Sequence, residues 1–420
     1  MIVNEDCIKH LKTIEDNYFD SVVTDPPYHL QSIVKRFKNT LPSDDTLTSK
    51  KVREKSDGFS RFLGTGFMGQ KWDGGDIAFT TELWKEVYRT LKPGGYLLSF
   101  SASRNYHRMA VAIEDSGFEI RDQIMWIYGS GFPKSLNIGK QIDKKLGNKR
   151  ISLGKYKTPD GGQELSTYNN WKDSTVQERR WPEVTKGDSE WEGWGTALKP
   201  AHEPICMARK PISEKSVTDN VLKHGTGGIN IDGCRVETED KTQRVNKGVE
   251  WGVRNDKSGN EPKVYGSTKG RYPANLIHDG SEEVIDEFKK FGEDKGAKAP
   301  VKTEKGDFMF YDHKYNKRGD DGESFKGDTG TAARFFYCAK ANKKEKGDSK
   351  HPTVKPVELM RYLVRLVTPK DGIVLDPFAG TGTTGEACIL ENRNYYLIEA
   401  EESYIKDIEN RTNKYNRLGL

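Results

Sequence analysis

A short motif near the amino end of the chain combines an acid, two prolines and an aromatic residue, Asp25-Pro26-Pro27-Tyr28. The two prolines fix φ and remove two N–H donors, so the segment is stiff and presents its carbonyl oxygens. The Asp25 carboxylate is an acceptor and the Tyr28 ring is a flat surface. These groups suit a planar molecule that carries an NH₂ group. A plain proline turn after a core strand is the alternative interpretation.

A second motif lies near the carboxyl end, where a glycine-rich turn follows an apolar strand: Asp376-Pro377-Phe378-Ala379-Gly380-Thr381-Gly382-Thr383-Thr384-Gly385. The glycines allow the backbone to approach a bound molecule closely. A helix predicted over 383–390 offers its amino end to an anionic group such as a carboxylate. Glu399 ends the next predicted strand, 23 positions after Asp376, where a carboxylate can bind ribose hydroxyls.

The two motifs are embedded in an alternation of predicted strands and helices. The predicted strands are 2–3, 21–24, 96–100, 118–128, 204–209, 334–339, 373–376 and 395–398, and the predicted helices are 7–14, 80–91, 105–116, 357–367 and 383–390. This alternation indicates an α/β fold with a parallel sheet and helical cover. Sheets of this kind hold ligands at the carboxyl ends of their strands, where both motifs fall.

The spacing of Gly380, Gly382 and Gly385 also matches the fingerprint of dinucleotide-binding proteins, so a nicotinamide-dependent oxidoreductase is an alternative. Only 35 residues follow Gly385, which is too few to build the remaining strands of such a sheet. The amino-terminal strands must therefore complete it, in a permuted order that is unusual for dehydrogenases. Hydride transfer also has no use for the Asp25 motif.

The composition indicates one core with long polar excursions. Hydrophobic residues make up 34% of the 420 residues, charged residues make up 31%, and 42 are glycine. We expect residues 31–76 to form a mobile loop that orders over substrate, with plain disorder as the alternative. Region 129–333 is expected to be an insertion with one core strand near 204–209. Its interleaved basic and aromatic residues suit a nucleic-acid surface, with a solvated, loop-rich insertion as the alternative.

Charge and cysteine usage narrow the class of protein further. The formal net charge of +5 permits a polyanionic partner without requiring one. The five cysteines form no Cys-x-x-Cys and the eight histidines form no cluster, so we expect neither a metal site nor disulfides. No apolar run is long enough to span a membrane and the amino end lacks signal-peptide features. A cytoplasmic protein is therefore expected.

In combination, the motifs resemble those of the β (permuted) class of amino-group DNA methyltransferases, especially site-specific methylases of bacteria and their phages. The resemblance rests on the Asp25 motif, a long insertion, His351-Pro352-Thr353-Val354-Lys355-Pro356, and the Asp376 motif. It implies a circularly permuted, Rossmann-like methyltransferase sheet that uses S-adenosylmethionine. Residues 1–128 would be the catalytic half, 129–333 the target-recognition insertion and 334–420 the cofactor-binding half.

The resemblance also implies roles for individual residues. Asp25 and the Pro26 carbonyl would accept hydrogen bonds from the amino group of the target base, and Tyr28 would stack on it. Glu399 would bind the ribose hydroxyls. The residues implied to bind the cofactor are Asp6, Thr353, Lys355, Asp376, Pro377, Phe378, Ala379, Gly380, Gly382, Thr383 and Glu399. Asp6 would lie near the cofactor adenine, although Glu5 replaces the glycine usual before it, and Thr353 and Lys355 would flank the methionine end.

The activity implied is methyl transfer to an exocyclic nitrogen of a base flipped out of double-stranded DNA. Asp25 at the first position of its motif favours adenine N6, whereas serine there would favour cytosine N4. The N4-cytosine enzyme and a non-catalytic DNA-binding protein on the same fold are the alternatives. Methylation at cytosine C5 is not expected, because none of the five cysteines follows a proline. A homodimer and a cognate restriction enzyme are candidate partners.

Three further residues lie in or directly before predicted strands. Trp126, in the predicted strand before the insertion, is interpreted either as a core residue or as a contact to the flipped base. His202 and Glu203 precede the strand predicted at 204–209 and are expected to be structural.

Overall fold

The computed structural model describes residues 1–28, 76–131, 135–155, 183–238, 244–246, 263–265, 269–292, 294–295, 329–339 and 354–416. The chain divides into two units. The larger unit comprises Met1–Gly129 and His202–Leu420, and the smaller unit is Ser130–Ala201. The expected substrate loop at 31–76 lies outside the described residues, except for Asp76.

The described residues include fifteen strands. They are β1 (Ile2–Asn4), β2 (Phe19–Thr24), β3 (Leu91–Phe100), β4 (Glu119–Ile127), β5 (Ile151–Lys155), β6 (Glu183–Lys186), β7 (His202–Arg209), β8 (Arg244–Asn246), β9 (Lys263–Tyr265), β10 (Leu276–His278), β11 (Asp294–Lys295), β12 (Thr329–Gly330), β13 (Tyr337–Cys338), β14 (Ile373–Asp376) and β15 (Asn394–Glu399). The main sheet has the order β1-β15-β14-β2-β3-β7-β4-β10-β13. Its pairings are parallel except the two made by β7.

Helices cover both faces of this sheet. The α-helices are α1 (Cys7–Leu11), α2 (Thr81–Thr90), α3 (Tyr106–Glu114), α4 (Ile138–Leu146), α5 (Val217–His224), α6 (Glu282–Lys289), α7 (Val357–Val367), α8 (Thr383–Leu390) and α9 (Glu402–Asn416). Among these described helices none is long and apolar enough to cross a membrane. The smaller unit holds α4 and the antiparallel pair β5–β6, and its Arg150 binds Asp143 and Glu192.

The central strands are buried on both faces because alternate side chains of a strand point in opposite directions. Val23 and Leu98 face one side, where they join a cluster with α7 and α8. Val22 and Leu97 face the other side, where α1, α2 and α3 cover them. All four side chains are fully buried. The unbroken apolar runs of these strands are thus explained by a sheet that lies between two helical layers.

The order of the strands confirms that the amino-terminal strands complete the sheet. Strands β14 and β15 come from the end of the chain, yet they lie between β1 and β2 from its beginning. Ile2 opposes Leu397, and Val374 opposes Ser21. The motif after β2 and the turn after β14 are therefore neighbours at the carboxyl edge of the sheet.

The insertion departs from the predicted pattern. Region 129–333 contributes two strands to the main sheet, β7 and β10, rather than one. Strand β10 has only three residues, too few for a recognisable period. Strand β7 runs antiparallel to its neighbours, whereas strict alternation predicted a parallel sheet. Residues 129–199, which show no sustained period, contain α4, β5 and β6. The division at 128 and 333 remains a prediction.

Several element bounds also differ from the predictions. The strand predicted at 334–339 is a 3₁₀ turn, Ala332–Phe335, followed by the two-residue β13. Helix α1 ends at Leu11, three residues early. Strand β3 begins at Leu91 and includes the Pro93-Gly94-Gly95 segment predicted as a stop, because Leu91 already pairs with Phe19 of β2. Helix α9 was not predicted.

Candidate functional site

The two sequence motifs lie side by side at the carboxyl edge of the sheet. Thr24 is the last residue of β2 and Asp376 is the last residue of the adjacent β14. The Thr24 hydroxyl donates to Asp376 Oδ1 over 2.7 Å, and both residues are buried. This bond ties the loop that begins at Asp25 to the start of the glycine-rich turn.

Proline stiffness and one side-chain bond hold the Asp25 loop in place. Pro26 is buried and Pro27 is half-buried. The Asn105 side-chain amide, at the amino end of α3, donates to the Tyr28 carbonyl over 2.6 Å. The loop is therefore anchored to β14 at one end and to α3 at the other.

A buried lysine joins the acidic groups of the site. Lys355 Nζ lies 2.6 Å from Asp25 Oδ2 and 3.1 Å from Glu203 Oε2. It also donates to the Tyr28 hydroxyl over 3.1 Å, and that hydroxyl donates to Glu203 Oε2 over 2.9 Å. The ammonium lies 5.2 Å and 4.9 Å from the ring centroids of Tyr28 and Phe100. Lys355, Asp25, Glu203 and Tyr28 thus form one connected group, which we call the Lys355 network.

The charges of the Lys355 network are set by burial and by each other. Burial alone would lower the pKa of Lys355, but the carboxylates of Asp25 and Glu203 outweigh it and raise that pKa above its ordinary value. Burial and the same carboxylates raise the pKa of Tyr28 well above its ordinary range. Lys355 is therefore an ammonium and Tyr28 a neutral phenol at physiological pH.

One oxygen of Asp25 is left for a ligand. Lys355 occupies Oδ2, whereas Oδ1 is buried and has no hydrogen-bond partner among the described residues. A buried acceptor without a donor costs about 1–3 kcal/mol. Buried polar groups are rarely left in this state, so the oxygen is a candidate acceptor for a ligand.

Glu203 was expected to be structural, but the structure places its carboxylate in the Lys355 network. Because β7 runs antiparallel to β3 and β4, its first residues, rather than its last, reach the carboxyl edge of the sheet. A search for site residues that considers only the ends of predicted strands therefore overlooks Glu203, which lies at the beginning of its strand. The available signal was an acid directly before the buried strand segment Pro204–Arg209.

Asp376 holds the glycine-rich turn together. Its Oδ1 accepts from Phe378 N over 3.1 Å, besides Thr24, and its Oδ2 accepts from the Thr384 hydroxyl over 2.5 Å. Burial raises the pKa of Asp376 to about 6, opposed by the bonds from Thr384, Thr24 and Phe378. Its carboxylate was expected to bind a cofactor, but its described bonds are all internal.

The glycines of the turn serve packing as well as access. Gly380 and Gly382 have φ of 54° and 79°, a conformation that side chains disfavour. A Cβ on Gly382 would lie 3.1 Å from the Ile408 Cα in α9, and one on Gly385 would lie 2.7 Å from Leu397 Cδ1. Close approach of a ligand was the sequence-based reason for these glycines. At Gly382 and Gly385 the close neighbours are protein atoms.

Glu399 faces the glycine-rich turn from the end of β15. Its Oε2 accepts from Gly380 N over 2.7 Å, and its Oε1 accepts from Glu401 N over 2.9 Å. Burial raises the pKa of Glu399 to about 7, although both backbone bonds oppose the shift. Each oxygen keeps a lone pair, because a carboxylate oxygen can accept two bonds.

Three of the remaining predicted cofactor residues belong to the glycine-rich turn and the start of α8. Pro377, Ala379 and Thr383 are buried, and Ala379 N donates to Ile398 O over 3.0 Å. Asp6 is exposed and caps α1, where its Oδ1 accepts from Lys9 N over 2.9 Å. Thr353 lies outside the described residues. No group of three or more His, Cys, Asp or Glu side chains within the described ranges could hold a metal ion.

Comparison with known proteins gives consistent similarities. A family described as DNA methylase matches residues 19–410. The chain is 24% identical to the Type II methyltransferase M.HindIII of Haemophilus influenzae over 436 residues, covering 100% of this chain and 95% of that protein. It is 47% identical to the Type II methyltransferase M2.MboI of Moraxella bovis over 62 residues, which span 15% of this chain and only 23% of that protein.

A solved structure described as PvuII DNA methyltransferase, cytosine-N4-specific, is similar with 13% identity and a TM-score of 0.39. The alignment covers 99% of this chain and 91% of that chain.

Proposed function

The chain belongs to the DNA methylase family, and we propose that it transfers a methyl group from S-adenosylmethionine to the N6 amino group of an adenine flipped out of double-stranded DNA. The observation that carries this proposal is the state of the Asp25 carboxylate. One of its oxygens is held by Lys355 and the other is buried without a partner among the described residues, at the end of a stiff loop that carries Tyr28.

The Asp25 loop can orient an amino group for methylation. Asp25 Oδ1 and the Pro26 carbonyl accept its two hydrogens, and the Tyr28 ring stacks on the base. S-adenosylmethionine supplies the methyl group on a sulfonium sulfur, suited to direct in-line displacement. Holding the amino nitrogen in line with that carbon is worth several orders of magnitude in rate. The Asp25 carboxylate also stabilises the positive charge that develops on nitrogen.

Lys355 holds the Asp25 carboxylate in a fixed orientation. Its ammonium binds Asp25 Oδ2, which leaves Oδ1 for the amino group of the base. The same ammonium also binds Glu203 Oε2. Of the two roles open to Lys355, we favour this one over contact with the methionine end of the cofactor, because its described polar partners are all in the network. A cofactor contact through Thr353 remains a prediction of the resemblance.

The glycine-rich turn and Glu399 are proposed to hold the cofactor. Glu399 is the carboxylate that fits ribose hydroxyls, since each of its oxygens has one lone pair beyond its bond to the backbone. Residues Phe378–Gly382 form the turn that it faces. Asp6 follows β1, which pairs with β15 so that Asn4 lies opposite Glu399, and its free oxygen is available to the cofactor adenine.

We expect the affinity for S-adenosylmethionine to fall as the pH drops below about 7. Burial raises the folded-state pKa of Glu399 to about 7, and only the ionised form accepts bonds from both ribose hydroxyls. Affinity is therefore full above this pKa and falls towards tenfold per pH unit below it. Isothermal calorimetry between pH 6 and 8 measures the effect. Asp376, whose pKa is raised to about 6, also titrates near the lower end of this range, so the effect is assigned by comparison with a variant that keeps Asp376.

The matched variant is Glu399→Gln, which should bind S-adenosylmethionine more weakly and without this pH dependence. The amino group of the ligand titrates near pH 8, but it does so equally with both proteins, so the difference between them reports Glu399. An unchanged pH profile in Glu399→Gln would remove Glu399 from the cofactor site.

Exposed cations beside the Asp25 loop support DNA as the substrate. Arg104 and Arg108 are exposed and flank Asn105, which holds the Tyr28 carbonyl. Cations at this edge can pair with phosphates next to a flipped nucleotide. The similarity to proteins named Type II methyltransferases supports a role as the modification partner of a restriction enzyme. Homodimer formation remains a prediction.

Cytosine N4 is the second candidate acceptor, because it also presents an amino group next to a ring nitrogen. The choice of adenine rests on Asp25. To test the function, the chain is expressed in a host that lacks DNA methylation, and the host DNA is sequenced by a method that reads modified bases. N6-methyladenine within one short recognition sequence is expected. Unmodified DNA from cells that contain folded protein able to bind DNA would favour the non-catalytic alternative.

A further inference from the structure

Two buried side-chain atoms, a hydrogen-bond acceptor of Asp25 and a donor of Trp126, have no partner among the described residues. Among the described residues, three buried side-chain nitrogen or oxygen atoms lack a hydrogen-bond partner: Asp25 Oδ1, Trp126 Nε1 and Arg209 Nε. Arg209 lies at the far end of β7, where another of its nitrogens binds Glu119. The Asp25 oxygen can only accept when ionised, and the indole nitrogen can only donate.

Trp126 lies on the same face of the sheet as the Lys355 network. In the β4–β7 pair Trp126 is directly opposite Glu203, and directly opposed residues place their side chains on one face. The indole is 91% buried in the cluster that contains Phe100, and Tyr28 and Tyr128 pack against that cluster. Its ring centroid lies 5.0 Å from that of Tyr128.

We propose that Trp126 donates its indole N–H to the ring nitrogen next to the amino group of the target base, while Asp25 Oδ1 accepts a hydrogen from that amino group. This inference rests on the proposed function and deepens it. An acceptor and a donor on the same face of the sheet suit adenine, which presents N6–H₂ next to N1, and cytosine, which presents N4–H₂ next to N3.

The same pair rejects the other two bases. Guanine and thymine carry a hydrogen on the corresponding ring nitrogen, which would face the indole N–H donor. The carbonyl group next to that nitrogen would face the Asp25 carboxylate. Both positions would then leave buried polar groups unpaired, which discriminates more strongly than a change of shape. Trp126 therefore makes the site selective for bases with an amino group beside an unprotonated ring nitrogen.

The bond also directs the methyl group to the correct atom. The ring nitrogen N1 of adenine has an available lone pair and is more nucleophilic than the amino nitrogen, whose lone pair is delocalised into the ring. A hydrogen bond from Trp126 occupies the N1 lone pair. The amino group, held by Asp25, is then the nucleophile left for transfer.

The test combines a variant with a matched substrate. Trp126→Phe keeps an aromatic ring in the core but removes the N–H. On a duplex with adenine at the target position, we expect transfer to fall about tenfold, the effect of one lost hydrogen bond that leaves an acceptor unpaired. On a duplex with 1-deazaadenine, whose N1 is replaced by C–H, wild type should already be slower and Trp126→Phe should cause no further loss.

The matched control is Trp84→Phe. Trp84 is fully buried, and its indole N–H donates to Ala78 O over 2.9 Å in the cluster on the other face. Trp84→Phe should lower the melting temperature and act equally on both duplexes. Calorimetry with S-adenosylmethionine verifies that each variant is folded. If the target proves to be cytosine, 3-deazacytosine replaces 1-deazaadenine in the same design.

Two results would overturn the role of Trp126. Equal losses on both duplexes would give Trp126 a packing role only, and full activity of Trp126→Phe on adenine would give it no role. If Trp126→Phe does not fold, the wild-type protein alone provides the test. Equal rates of transfer to adenine and to 1-deazaadenine would exclude a hydrogen bond from Trp126 to N1. Failure of the proposed function is a separate outcome, in which wild type methylates no amino group of any DNA.

Discussion

Asp25→Ala should lower the rate of methyl transfer by about a thousandfold or more and leave the affinity for S-adenosylmethionine nearly unchanged. The variant removes the acceptor that orients the amino group and the negative charge that stabilises the transition state. Losing a single group of this kind costs about 10²–10³ in rate, and here orientation is lost with it. The cofactor turn keeps its own bonds to Thr24, Thr384 and Glu399.

Single-turnover transfer to DNA and calorimetry with S-adenosylmethionine measure the two effects separately. Asp16→Ala is the matched control, because Asp16 is an exposed carboxylate that pairs with Arg89 at the surface, and such pairs contribute little. Loss of cofactor binding in Asp25→Ala would place Asp25 in the cofactor site. Transfer at more than a tenth of the wild-type rate would contradict its catalytic role.

Lys355→Met should lower transfer about a hundredfold, again with cofactor affinity retained. Methionine has a similar length but no charge, so the carboxylates of Asp25 and Glu203 would face each other without a counter-ion. Like charges in a partly buried site repel each other, and this repulsion displaces the acceptor of the amino group. Removing one partner of a buried ion pair lowers the free energy of unfolding by about 3–5 kcal/mol. We expect the lower end of this range, because the Asp25 side chain is 26% exposed and the Glu203 side chain is 19% exposed.

A second variant separates stability from catalysis. Lys355→Met combined with Glu203→Gln removes the second carboxylate and should recover much of the lost unfolding free energy, but not the transfer rate, since Asp25 is still not held. Lys355→Arg keeps the charge and should be the mildest of the three. Loss of S-adenosylmethionine binding in Lys355→Met would instead support the contact with the methionine end that the sequence resemblance implies.

The local architecture of the cofactor half could be predicted from the sequence. Helix α7 was predicted with the bounds Val357–Val367, because it has a strong apolar period and ends before Thr368-Pro369. The run from β14 through the glycines into α8 combines an apolar strand, a turn and a helix start within about 20 residues. All these signals are local, and local patterns are what a single sequence carries.

The Lys355 network could not be predicted in the same way. Asp25 and Lys355 are 330 positions apart, and their contact depends on β14 lying next to β2. It also depends on α7, which packs on one face of the sheet and begins two residues after Lys355. Glu203 belongs to the network only because β7 is antiparallel to its neighbours. The apolar residues of β7 do not encode the direction of the strand. The type of residue at each position was informative, but which residues meet was decided by the sheet.

The most direct test of the central claim is to identify the methylated nucleoside. The purified chain is incubated with unmethylated bacterial DNA and methyl-labelled S-adenosylmethionine, and the DNA is digested to nucleosides that are then separated. Label in N6-methyldeoxyadenosine, absent with Asp25→Ala, is the result expected. Label in N4-methyldeoxycytidine would keep the mechanism and overturn the choice of base. No label in DNA, with S-adenosylmethionine bound to the protein, would contradict the proposed transfer.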